Sequence, residues 1–211
     1  MDTKYLKAIK EFGEVPESNK LIKNSLNEIK PNNVNKLGII FSVILSFIFA
    51  LCIGFSNNTI ESFDKTLDML LNVQLVIFGF IFSVYSIILA FFSDDYVKKI
   101  SQVDDDDSKE TFLKKILTYY ESVLYLYFIN ISLTGIIIFF MICIPSDFRL
   151  FSNNIFNNIV STVLMLFYYS FSFRIFYELK STIYNTIMLF RNSIAYRLLN
   201  FVQKDNNDSN D

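Results

Sequence analysis

The sequence predicts an all-α polytopic membrane protein, with four transmembrane helices and cytoplasmic helical extensions. The first observation is the distribution of charge. Residues 37–60, 69–93, 122–146 and 150–173 contain no Asp, Glu, Lys or Arg. The second is length. A hydrocarbon core about 30 Å thick needs about 20 apolar residues of helix, at about 1.5 Å each, and all four runs reach that. The third is that 17 of the 19 Lys and Arg fall in alternate connecting segments. A soluble buried helix rarely runs so far without a charge, because one of its faces normally meets water.

Taken in order, residues 1–36 form a polar, lysine-rich arm, too long and too charged for a signal peptide. It reads as two short amphipathic helices. Residues 2–12 place Tyr5, Ile9 and Phe12 on one side, and 17–29 place Ile22, Leu26 and Ile29 together, with Pro16 at the start and Pro31 at the end. Such helices could lie on the inner leaflet or cap the protein's own helices. The four-helix membrane domain follows at 37–177, with spans expected at about 37–55, 70–93, 121–144 and 155–177.

Seven Lys precede the first span, and the loop after it holds only Lys65. The next connection holds five Lys, the third only Arg149, and five more basic residues follow from Arg174 onward. Positive charge is retained on the cytoplasmic side. Both termini and the middle connection are therefore expected in the cytoplasm, with the protein in the plasma (inner) membrane.

The middle connection, 94–120, reads as a helical hairpin with Asp104–Asp107 at its tip. Asp107 and Glu110 have the spacing of a capping box, and negative charge favours a helix start. A calcium loop would need alternating oxygen ligands, a central Gly and a closing Glu. None of these is present, so the aspartates read as a solvated turn.

Beyond the last span, residues 178–203 form an amphipathic helix. Leu179, Ile183, Ile187, Phe190, Ile194, Leu198 and Phe201 follow spacings of 4, 4, 3, 4, 4 and 3. This is an eleven-residue repeat near 3.67 residues per turn. At about 100° per residue the seven share an arc of about 100°. The seam would meet the 94–120 hairpin, a cytoplasmic protein partner or further copies in a homo-oligomer. Residues 204–211 read as a disordered tail.

Within lipid, small residues let helices approach closely. The first span carries Ser42, Ser46, Ala50 and Gly54, and the second Gly79, Ser83, Ser86 and Ala90. Two such stripes on consecutive spans suggest that these two helices form a tight antiparallel pair. Asn130, Ser132 and Thr134 lie inside the third span and should face the bundle or another copy, because an amide facing lipid goes unpaired. Tyr168, Tyr169, Ser170 and Ser172 precede Arg174 in the fourth, near the inner end with Glu178 one turn on, so Arg174 is expected to snorkel or to form a local ion pair.

Several functions are disfavoured. The near-balanced charge of −2 gives no nucleic-acid surface. The chain has no His, which removes the commonest general base and metal ligand. Cys52 and Cys143 offer no metal spacing; they are packing residues or, if the first and third spans are neighbours, a disulfide. Neither a metal nor a cofactor is expected, and an enzyme is not expected. The expected partners are the lipid bilayer and a cytoplasmic protein or further copies of the chain. The reading is of a non-enzymatic membrane subunit that couples a cytoplasmic partner or signal to the membrane. Small bacterial membrane proteins of defence and stress systems share this size and layout, an architectural analogy only. The alternative is a small oligomeric channel or membrane-permeabilising effector, with Asn130, Ser132 and Thr134 lining its path.

Overall fold

A computed structural model of the chain describes residues 17–29, 36–91, 112–145 and 148–208. The expected 2–12 helix and the Asp104–Asp107 tip lie outside them. The described residues form five helices: α1 Ser18–Glu28, α2 Lys36–Gly54, α3 Thr59–Phe91, α4 Phe112–Ile142 and α5 Asn154–Asp208. No strand occurs among them. α2 to α5 are each long and apolar enough to cross a membrane, and each buries less than two fifths of its most apolar window. The rest of that apolar surface faces outward. Leu37, Val76, Phe167 and Ile142 are all more than 70% exposed.

Contacts fix the topology. Gly54 meets Thr162 and Gly38 meets Tyr177, so α2 and α5 are antiparallel. Gln74 bonds Thr134 and Tyr85 bonds Glu121, so α3 and α4 are antiparallel too. The result is an up–down–up–down bundle. One end, the loop end, carries the 55–58 turn and the connection between α4 and α5; the other is the tail end. The core runs between them in three clusters. The first joins Ala50, Leu67, Leu70, Met165, Tyr168 and Tyr169. The second joins Ile81, Val123, Leu126, Tyr127 and Ile175, and the third Val84, Ile88, Tyr120 and Leu189.

The pairing of α2 departs from the sequence expectation. Its stripe of Gly38, Ser42, Ser46, Ala50 and Gly54 is buried, but against α5, the most extensive contact in the fold; α2 barely touches α3. A Cβ on Gly54 would stand 2.0 Å from Thr162 Oγ1, and one on Gly38 2.4 Å from Tyr177 Cδ1. Helix axes come this close only where side chains are small. Ser42 and Ser46 donate to the carbonyls of Gly38 and Ser42, so their hydroxyls need no partner on α5.

The stripe on α3 does the opposite. Gly79, Ser83, Ser86 and Ala90 all face outward. α3 also begins earlier than expected, at Thr59 rather than about 70. Phe63, Leu67 and Leu70, spaced 4 and 3, dock on the first core cluster and carry the helix through a charged stretch. An exposed Glu61–Lys65 pair at 2.7 Å supports the same turn. α1 caps α4, burying Ser25 completely, and Ile29 packs on the second cluster. α5 continues to Asp208, beyond the expected end at 203. Adding a residue to an existing helix costs far less than starting one.

Candidate functional site: a polar column in the bundle core

Between α3, α4 and α5 the core is interrupted by a column of polar side chains. Its upper member is Thr134, fully buried. Thr134 Oγ1 lies 2.8 Å from the Asn130 carbonyl, 3.0 Å from Gln74 Oε1 and 2.8 Å from the Tyr168 hydroxyl. A hydroxyl has one proton and two lone pairs. Thr134 therefore shares its proton between the two carbonyl oxygens and accepts from Tyr168. One turn along, Ser172 donates to Asn130 Oδ1 at 3.0 Å. The Nε2 of Gln74 and Nδ2 of Asn130 are buried without a hydrogen-bond partner among the described residues.

Below this group lies an ion pair. Arg174 Nη1 stands 2.5 Å from Glu178 Oε1, with side chains only 7% and 6% exposed. The i,i+4 pair expected from the sequence is present, but inside the bundle. The guanidinium also sits over the Tyr177 ring, 5.9 Å from its centroid. Arg174 Nε and Nη2 meet no acceptor among the described residues. Burying two charges is costly, and their mutual attraction offsets that cost only when both stay in place.

Toward the tail end the column becomes a row of tyrosines. Tyr127 donates to the Ile175 carbonyl at 3.2 Å. Tyr119 and Tyr120 share protons with Thr182 and Thr186 at 3.3 and 2.8 Å, and Tyr85 donates to Glu121 at 3.2 Å. The face that α5 buries is thus Tyr168, Ser172, Ile175, Glu178, Thr182 and Leu189, at intervals of three, four or seven. It is not the apolar seam. Ile183, Ile187, Ile194, Leu198 and Phe201 are between 43% and 66% exposed. Only Leu179 and Phe190 reach the core, at its margin.

Of the intramembrane polar residues singled out by sequence, Asn130 and Thr134 enter the column. Ser132 is half-buried and outside it. Sequence reading missed Gln74, whose signal was an amide among the apolar residues 69–91. It also missed Thr182 and Thr186, whose signal was the tyrosine pair at 119–120 across the bundle.

A cavity of about 410 Å³ opens at the loop end among α3, α4 and α5. Phe63, Phe140, Met141, Leu164 and Met165 line it, with Tyr168 on its wall. Its surface is mainly apolar, with Thr59, Asn157 and Ser161 at its polar edge. Cys52 and Cys143 are free and exposed, so the disulfide considered from sequence is not formed. No group of three or more potential metal ligands occurs among the described residues. Ser172 bonds an amide rather than a base, so its own hydroxyl is not activated in the serine–base manner. Compared with protein-family models, with curated proteins and with solved structures, the chain matches none of them.

Proposed function

We propose that the protein is a four-span integral membrane protein of the plasma membrane, with both ends in the cytoplasm. In this reading it is a non-enzymatic subunit that couples a cytoplasmic protein to the membrane bundle. The lysine and arginine distribution supports the orientation. The observation that carries the coupling role is the continuity of α5. A single 55-residue helix, about 80 Å long at 1.5 Å per residue, joins the buried column to the exposed seam. A protein bound on Ile187, Ile194 and Leu198 grips the same rigid rod that holds Ser172, Arg174 and Glu178. A tilt or rotation imposed at the seam must repack the column, because packed cores switch between discrete arrangements.

The test is purification of the tagged full-length chain from its native cells in mild detergent. A cytoplasmic protein should co-purify in fixed stoichiometry and be lost on the double substitution Ile187→Glu, Leu198→Glu. Recovery of the wild-type chain without any protein partner sinks the reading.

A second reading, the small oligomeric channel, is favoured by one observation: Asp68 and Asn72 on α3 face away from the column and are exposed. A path in that case runs along α3 between copies rather than through Asn130 and Thr134. Depolarisation on expression, lost in Asp68→Leu but kept in Asn130→Leu, would select it.

A further inference from the structure

Helices that cross one bilayer must present apolar groups at the same depth, and three of these four do so. Contacts across the bundle set the depth. Phe63 packs edge-on against Tyr168 and Tyr169, with centroids 6.2 and 6.0 Å away. Leu67 and Leu70 share a cluster with Ala50 and Met165. At this level α2, α4 and α5 expose Phe47, Leu51, Phe140 and Phe167. α3 exposes Glu61, Lys65 and Asp68. Its uncharged run starts only at Met69. That run therefore starts roughly 15 Å, at 1.5 Å per residue, from the loop end of α3, whereas the uncharged runs of its neighbours reach that end.

The exposed charges lie in register with other groups. Glu61, Lys65, Asp68 and Asn72 are spaced 4, 3 and 4, and the line continues through Val76 to Gly79 and Ser83. At 100° per residue all of these fall within an arc of about 80°. Nothing among the described residues covers this face. Val76 is 74% exposed, and a Cβ built on Gly79 meets nothing within 4 Å. The hydroxyls of Ser83 and Ser86 bond carbonyls one turn back on their own helix.

We propose that α3 of a second copy of this chain covers the stripe, with the two helices side by side and parallel. The inference rests on the membrane reading above. Copies inserted with one orientation are related by an axis along the membrane normal, so their α3 helices run the same way. In a parallel pair each residue lies beside its own counterpart and one turn from the next. Lys65 of each copy, held by its own Glu61, then lies one turn from Glu61 and Asp68 of the other, so acid, base and acid alternate along the seam. Gly79 and Ser83 let the backbones approach at the opposite end. Lipid chains offer no partner to these charges, and a cytoplasmic protein does not reach this depth.

The experiment is disulfide crosslinking of the full-length chain in native membranes, with Cys52→Ser and Cys143→Ser as background. Single cysteines are placed on the stripe (Asn72→Cys, Gly79→Cys, Ser83→Cys) and off it at positions that are also exposed (Val73→Cys, Phe80→Cys). The expected result is dimer at the three stripe positions and background at the other two. Lys65→Glu should lower the yield at position 79, and adding Asp68→Lys should restore it. Equal yields on and off the stripe, or no dimer at any position in membrane-embedded chain, would overturn the proposal. Recovery of the chain in the soluble fraction overturns the membrane reading, and this inference with it.

Discussion

Replacing Gly54 with alanine tests the helix pairing most sharply. The new Cβ would stand 2.0 Å from Thr162 Oγ1, 3.1 Å from Thr162 Cβ and 3.3 Å from its Cα. Turning the threonine relieves the first contact and breaks its 2.7 Å bond to the Asn158 carbonyl. The backbone contact remains, so α2 must move away from α5. Overpacking of this kind costs about 1–3 kcal/mol, against a helix-propensity gain of up to about 1 kcal/mol for Gly→Ala. The net is a loss of up to about 2 kcal/mol, which lowers Tm by up to roughly 8 °C for a chain of this size. Within one copy Gly79→Ala meets nothing within 4 Å, so in the isolated monomer it keeps the propensity gain alone and leaves Tm unchanged or raised. Gly38→Ala falls between, since its obstacle is the Tyr177 ring, which can turn. Thermal unfolding of the three variants in one detergent should rank them Gly54, Gly38, Gly79 from most to least damaging. A Gly54→Ala monomer at least as stable as the Gly79→Ala monomer would refute the α2–α5 pairing.

The remaining predictions concern the column. Arg174→Met and Glu178→Leu should each cost about 3–5 kcal/mol singly, since each leaves a buried charge unpaired, while the double variant recovers most of the loss; strictly additive Tm losses would contradict a buried pair. Ser172→Ala and Asn130→Ala should show a coupling of roughly 0.6 kcal/mol in a double-mutant cycle, the usual size for hydrogen bonds between membrane helices, and a zero coupling would remove that bond. Ser132→Leu should be tolerated, whereas Asn130→Leu should destabilise by about 1–3 kcal/mol, because it leaves the buried Ser172 hydroxyl unmet; detergent stability of the two variants compares them directly.

Helix positions were legible in the sequence because a long uncharged run tolerates few structures. α2, the end of α4 and the start of α5 lie within two residues of the expected span boundaries. Helix partners were not legible. A row of small residues says that something approaches closely, but not what, and α2 chose α5 over its sequence neighbour. The early start of α3 was hidden by Glu61, Asp64, Lys65 and Asp68, which read as a loop, although Phe63, Leu67 and Leu70 already had helical spacing. The seam on α5 shows the same ambiguity from the other side. Periodic apolar residues mark a face, yet the face that docks on α4 is the one whose threonines meet Tyr119 and Tyr120. In the column, Asn130 and Thr134 stood out as amide and hydroxyl in apolar runs. Ser132, two residues away on the same helix, points elsewhere because successive residues turn by about 100°.

The central claim is that the four apolar helices cross the membrane and leave α5's tail in the cytoplasm. Labelling intact cells with a membrane-impermeant thiol reagent measures this directly, using Cys143 with Cys52→Ser and, separately, a lone cysteine at the exposed Asn192. Cys143 should label from outside, and the cysteine at 192 only after the cells are permeabilised. Labelling at 192 in intact cells would contradict the account.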